Sequence, residues 1–337
     1  MIGSSIISDF LGSERLAVGL IILGLFALLV ILVGFNSAKT VFLSSLAAMV
    51  PIALAAMGEI INERGGLFNI GIEGIMLVAT FSSVFFTELA GSWLIGLLAG
   101  MITGAFIALI FGLMSTYGTG NQLVAGVGIN LFAAGFVAYY MLIAWNNPGF
   151  HMVNPNTLRV PKLRIYHANV TYFVIVALVV TFAAWFVIHY TKFGLHLRAA
   201  GRDPFVTDVS GIDVYRLRTV AATIGGALAG LAGAYISLDW LGMTTTDLIQ
   251  GRGFIAIACV VFSGLDPILA LEVAYFFGLI RGISIWLQSV PWASEFMSQG
   301  GSYFFLTLPY LSVIGILIAF PQREKISGEI GKSYKRE

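Results

Sequence analysis

The sequence predicts an all-α fold: a polytopic membrane helix bundle of about ten spans, organised as one domain over residues 1–337. Composition and pattern carry that prediction. Of the 337 residues 58% are hydrophobic and 10% charged, with mean hydropathy +0.92; a soluble domain holds about 45–50% apolar and about 25% charged residues. The apolar residues fall in runs of about 20, the length that crosses a bilayer as a helix. Between Leu89 and Leu158 there is no charged residue at all.

The runs define the elements in order. Leu16–Ala38 is the first expected span and Thr40–Gly58 the second. The residues before Leu16 lack a basic start and a small-residue cleavage site, so the first span reads as retained. Glu59–Gly66 reads as a short polar hinge, and Leu67–Thr87 as a third span with one acid, Glu73, inside it. Trp93–Met114 and Gln122–Trp145 are the fourth and fifth. Asn146–Val170 is a polar loop punctuated by Asn147-Pro148, Asn154-Pro155 and Pro161, all turn signals. Thr171–Tyr190 and Thr219–Leu238 are the sixth and seventh. Arg252–Gly264 is short for a crossing and reads as a tilted or partly re-entrant helix. Pro267–Leu287 and Tyr303–Phe320 complete the set. Gly96, Gly100 and Gly104, and again Gly226, Gly230 and Ala234, recur at four-residue spacing, which puts small residues on one face and allows helices to approach closely in lipid.

One stretch breaks the apolar pattern. Thr191–Arg218 holds Lys192, Arg198, Arg202, Asp203, Asp208, Asp213, Arg216 and Arg218 between two spans. Charges and unsatisfied backbone are too costly in hydrocarbon, so the segment is expected to project into water as a helix, a Gly/Pro break and a second short helical piece. Lys and Arg placement gives the orientation: with both termini inside, the 191–218 loop and the tail 321–337 hold most of the bases and are cytoplasmic.

The residues exclude several function classes. The lone Cys259 rules out intrachain disulfides and cysteine metal clusters. His151, His167, His189 and His196 lack the spacing of metal ligands, and no catalytic set or cofactor motif appears. Net charge +1 says nothing about nucleic acid, but no basic cluster large enough to hold phosphates is present, so no nucleic-acid partner is expected. Gly331-Lys332-Ser333 ends like a phosphate loop, but Ile326 stands where that loop needs glycine. Any energy source must then be another chain or an ion gradient, and an ion-coupled carrier would call for more membrane acids than Glu73 and Glu272.

An acid at mid-helix costs roughly 2.5–3.5 kcal/mol to insert, so Glu73 should face the bundle or a wet cavity. With Asn69, four residues earlier and expected on the same helical face, it forms either a pathway pair or a clamp on glycine-rich neighbouring backbone. Asn121, Gln122 and Asn130, near the start of the fifth span, are further candidates for a substrate pathway. Arg281 has no acid within one turn, so its partner is expected on another helix.

At this point the residues resemble a known family. Asn62-Glu-Arg-Gly-Gly-Leu-Phe-Asn69-Ile-Gly71-Ile-Glu73-Gly74 is similar to the signature of inner-membrane permeases of ABC importers in the ribose, nucleoside and branched-chain amino-acid group. Leu197, Arg198, Ala199, Ala200, Gly201, Arg202, Asp203 and Pro204, with Gly211 and Ile212, look like that group's cytoplasmic coupling loop. Gly251–Ala258 and Leu306–Tyr310 look like segments of its nucleoside and simple-sugar branch; Ser263-Gly264-Leu265 departs from the Gly-Lys/Arg-Trp-like turn of that pattern. The resemblance spans roughly Ile52–Phe320. It implies a type II ABC importer-like permease that forms a pathway and hydrolyses nothing, in the plasma membrane of a prokaryote. It further implies a separate cytoplasmic ATPase seated on the loop, an extracytoplasmic substrate-binding protein, and a second, different permease subunit. A nucleoside is the implied solute, with a simple sugar or a branched-chain amino acid as alternatives.

Overall fold

The computed structural model describes residues 13–153, 160, 162–165, 168–288, 290, 302–319, 331 and 334. His167, Asn154-Pro155, Pro161, Ile326 and, apart from Gly331 and Tyr334, the tail from 321 lie outside the described residues.

All ten expected spans are helical. They are α1 (Ser13–Val33), α2 (Phe35–Arg64), α3 (Ile72–Ala90), α4 (Trp93–Thr116), α5 (Gln122–Trp145), α6 (Phe173–Tyr190), α9 (Val214–Tyr235), α10 (Arg252–Ser263), α11 (Pro267–Gln288) and α12 (Ser302–Ala319). Two short helices, α7 (Lys192–Arg202) and α8 (Pro204–Val209), lie between α6 and α9. Among the described residues seven helices are long and apolar enough to cross a membrane. The chain is a multi-pass membrane protein. α10, with 12 residues, rises only about 18 Å against a hydrocarbon thickness of about 30 Å and is a half-crossing. Four short strands qualify the all-α expectation: β1 (Phe150–Met152) pairs antiparallel with β4 (Met243–Thr245), and β2 (Lys162–Ile165) with β3 (Ala168–Thr171). The first ribbon ties the α5–α6 loop to the far end of α9.

α2 is the axis of the bundle, packing against α6, α9, α10 and α11. Its 30 residues span about 45 Å, longer than the expected second span, because the helix starts at Phe35 and because Glu59–Arg64 of the expected Glu59–Gly66 hinge is helical and forms its last turns. Glu59, Asn62 and Glu63 are 0–2% exposed. Asn62 and Glu59 share a face of the helix, where Asn62 Nδ2 donates to Glu59 Oε2 at 2.9 Å, while Asn62 Oδ1 and Glu63 Oε1 have no partner among the described residues. At the same end of the bundle Arg64 Nη2 donates to the Leu265 carbonyl at 2.9 Å, and Arg15 pairs with Asp266 at 2.5 Å.

The two glycine stripes pack against each other. A Cβ placed on Gly104 would lie 2.7 Å from Gly230 Cα, and one on Gly100 would lie 2.8 Å from the Ala234 Cβ. With lipid tails as apolar as the side chains, close backbone contact of this kind is what holds two helices together. We predict that Gly104→Val weakens the α4–α9 seam by about 1–3 kcal/mol, the usual cost of overpacking. Gly135→Val, where the added carbon meets nothing within 4 Å, should leave stability unchanged. Thermal unfolding of the two variants in detergent checks the contrast.

Candidate functional site

The site is built round a gap in the helices. Between α2 and α3, residues 65–71 leave the helix yet stay inside the bundle, with Gly65, Gly66, Leu67, Asn69 and Gly71 buried. Non-helical backbone in apolar surroundings must have its N–H and C=O groups satisfied by the protein itself. The chain supplies partners from several elements. Leu67 N–H donates to the Asn62 carbonyl at 3.0 Å, Phe68 N–H to Gln122 Oε1 at 2.7 Å, and Asn69 N–H to Glu59 Oε1 at 2.7 Å. Asn69 Oδ1 accepts from Gly71 N–H at 2.9 Å. Asn130 accepts from Gly74 N–H at 2.7 Å and donates to the Ile70 carbonyl at 3.0 Å. Glycine at 126 lets α5 come this close, since a Cβ there would sit 2.8 Å from Gly71 N.

Glu73 continues the same construction. Its Oε1 accepts from Gly251 N–H at 2.6 Å and its Oε2 from Gly253 N–H at 2.7 Å. The carboxylate therefore caps the start of the half-helix α10, where free N–H groups carry partial positive charge. Of the five candidate pathway residues, Asn69, Glu73, Gln122 and Asn130 gather at this turn and hold backbone. Asn121 stands apart as the N-cap of α5, accepting from Leu123 and Val124 N–H. Asn69 and Glu73 do not share a helical face, because α3 begins only at Ile72 and the first five residues of the expected third span belong to the buried turn.

A cleft opens nearby, between the middle of α2, the end of α9, the start of α10, α11 and α12. Trp240, Gln250, Arg252, Phe277, Arg281 and Tyr310 are among its walls. Trp240 is delivered by a π-helical turn, Ile236–Trp240, that ends α9; such turns are rare and concentrate at functional sites. The Arg252 guanidinium lies 4.8 Å over the Trp240 ring, and its Nη1 donates to the Leu248 and Ile249 carbonyls at 2.8 Å each. Tyr310 donates to the Gln250 carbonyl. Arg281 was expected to find a partner on another helix, but its buried Nε has none among the described residues. None of the five candidate pathway residues lines this cleft.

At the end of the bundle that holds Arg64, α7 and α8 form a ledge. The helix break lies at Asp203-Pro204, with Asp203 as N-cap of α8 and Pro204 at its first position, whereas Gly201 sits inside α7. Leu197, Ala200, Gly201 and Pro204 are buried against the bundle, while Arg198, Ala199 and Ile212 are half-buried. A Cβ on Gly201 would collide with the Arg64 carbonyl. Gly211, at φ 89°, meets open space and is needed for its backbone angle alone. Arg202, Asp203 and Gly211 are exposed. So is an apolar set the residue pattern did not single out: Leu195, Phe205, Val206 and Val209, with Val209 74% exposed. Their signal in the sequence is large apolar residues placed beside charges in a segment too polar for lipid. Arg218, expected in water with the rest of the loop, is 1% exposed. Its Nε donates to the Gly65 carbonyl at 2.8 Å and its Nη2 to the Ala200 carbonyl at 3.4 Å, joining the ledge to the buried turn.

Residues 41–319 match the family described as branched-chain amino acid transport system / permease component. The chain belongs to this permease family. The permease is 33% identical over 290 residues to the guanosine ABC transporter permease protein NupQ of Bacillus subtilis, covering 80% of this chain and 88% of that one. To the nucleoside ABC transporter permease protein NupC of Lactococcus lactis it is 29% identical over 301 residues, 85% of this chain and 93% of the relative. It is also 30% identical over 249 residues to the putative glucose ABC transporter permease protein TsgC13 of Haloferax volcanii, 72% and 76% of the two chains. No solved structure matches it.

The turn and the ledge each generate an expected outcome. Asn130→Leu leaves the Gly74 N–H and the Ile70 carbonyl without their partner, at about 1–3 kcal/mol for each group. The permease should unfold at lower temperature and exchange its 67–74 amide hydrogens faster, while Asn121→Ala loses only a cap worth about 1 kcal/mol. Hydrogen exchange and thermal unfolding separate the two. Gly201→Val should lift the ledge from α2, read as new proteolytic cleavage between 191 and 213 in an otherwise inserted protein.

Proposed function

We propose that this permease forms the pathway for a nucleoside in an ABC importer, in the plasma membrane of a prokaryote with both termini cytoplasmic. The observation that carries the reading is the ledge. It is an amphipathic two-helix piece whose buried face is pinned to the bundle and whose other face offers Leu195, Phe205, Val206 and Val209. Large apolar residues exposed beside charges, in a segment too polar for lipid, suit a protein docking site, and the partner that an ABC permease requires there is a soluble ATPase. Leu197–Pro204 with Gly211 and Ile212 then form the coupling element, the inward residues as its seat and the outward ones as its contact.

The chain's own groups suggest how motion passes inward. A pull on α7 acts on the Ala200 carbonyl, through the Arg218 guanidinium, on Gly65 and the buried turn. From there Asn130 leads to α5, and Glu73 to α10. Asn69, Glu73, Gln122 and Asn130 brace the wall of the pathway in this reading. The nucleoside assignment draws on the named activities of NupQ and NupC; the name of TsgC13 keeps a simple sugar as the second reading. A binding protein on the outer face and a second permease subunit complete the assembly.

The test is reconstitution with the ATPase, second permease and binding protein of the same transport system, measuring ATP-dependent uptake of labelled guanosine, uridine, ribose and leucine. Nucleoside uptake is expected, and the permease alone should hydrolyse no ATP. Uptake of ribose or leucine without nucleosides overturns the assignment. Val209→Glu should weaken solute-stimulated ATP hydrolysis on the order of tenfold, about 1.4 kcal/mol, by placing a charge in the docking face without touching the bundle.

A further inference from the structure

We propose that the cleft beside α10 receives the acceptor edge of a purine base, with Arg281 as the residue that reads it; the inference rests on the nucleoside reading above. The first ground is an unmet donor. Arg281 lies in α11, 14 residues beyond Pro267, and so about 21 Å along the helix from its inner end. Its buried Nε has no hydrogen-bond partner and it makes no ion pair among the described residues. A guanidinium inside a membrane bundle is costly and points to a functional site, and among the described residues no acceptor answers this Nε. Arg252 does not answer it, being itself a donor already shared between two carbonyls and the Trp240 ring.

The second ground is shape. Phe277 and Tyr310 line the same cleft beside Trp240, whose ring already carries Arg252, and aromatic side chains stack on planar rings of any nucleobase. The volume is about 30 Å³, room for one edge of a flat molecule rather than for a whole nucleoside, whose sugar would remain outside. A guanidinium fork fits two adjacent acceptors best, and the O6/N7 edge of guanine or hypoxanthine offers that pair. Adenine presents an amino donor in place of O6 and would leave one arm of the fork unanswered. The cleft therefore favours oxopurine nucleosides over adenosine, and it does so in the permease itself.

The experiment uses the complete reconstituted transporter with one unchanged binding protein, so that any change in solute ratio comes from the permease. Uptake of guanosine, inosine, adenosine, uridine and guanosine 5′-monophosphate is compared in wild type, Arg281→Gln and Arg281→Lys, normalised to the amount of assembled complex. In Arg281→Gln the guanosine-to-adenosine ratio is expected to fall at least about fivefold, the lower range for loss of one bidentate pair. Arg281→Lys, which keeps the charge but not the fork, should fall in between. Equal loss for all nucleosides, or an unchanged ratio, overturns the inference and leaves nucleoside transport standing. Failure of both variants to assemble makes Arg281 a structural residue and overturns it as well. Guanosine 5′-monophosphate uptake that exceeds guanosine uptake and is lost in Arg281→Gln would put phosphate, not a base edge, against the guanidinium. A wild-type transporter that moves no nucleoside removes the underlying reading and this inference with it.

Discussion

Buried backbone that is not helical has to be answered group by group, and residues 65–71 impose that constraint on the rest of this permease. The turn is buried in protein, so its hydrogen bonds have to be completed by the chain itself. Partners come from α2 through Glu59 and Asn62, from α5 through Gln122 and Asn130, from within the turn through Asn69, and from the start of α9 through Arg218. Those interactions fix how α2, α3, α5 and α9 meet. Glu73 extends the network one step further by holding the start of α10. The buried polar side chains elsewhere are mostly Ser and Thr hydroxyls, many of them bonded to carbonyls of their own helix.

The same constraint explains what could be read from residues in a row. Apolar runs and small-residue stripes are local signals, and the helices and the α4–α9 seam follow from them directly. Gln122–Trp145 coincides with α5 to the residue. The Glu59–Arg64 segment misled because polarity ordinarily marks water, and its burial depends on Asn69, which only the folded turn brings back to Glu59. Arg218 misled for the same reason: its acceptors are carbonyls 153 and 18 residues away, and carbonyls carry no sequence identity. Glu73 and Asn130 stood out as polar residues in apolar runs, but whether such a residue meets solute or backbone is settled by what packs opposite.

The cleft was harder still to see. Trp240, Arg252, Arg281 and Tyr310 come from four elements, and its tryptophan depends on a π-helical turn for its direction. A single arginine in a span signals that some partner exists somewhere. It took the placement of α10 and α12 beside α11 to show a shared wall with aromatic faces. Fold and family were thus legible from periodicity and motifs, while the chemistry of the interior required knowing which distant backbone each polar side chain touches.

The length of α2 has a mechanical corollary. Pro51 stands inside α2 near its midpoint, where a proline removes a backbone hydrogen bond and kinks a helix. A half of about 22 Å that rocks by about 5° therefore moves its tip by about 2 Å and the middle hardly at all. Ala48 and Ile52, the α2 residues in the cleft wall, lie near that centre, while Arg64 and the ledge ride on one tip. The fulcrum of such a lever is the natural place for a fixed wall: a vestibule on either side can widen or narrow while the cleft's own dimensions stay constant.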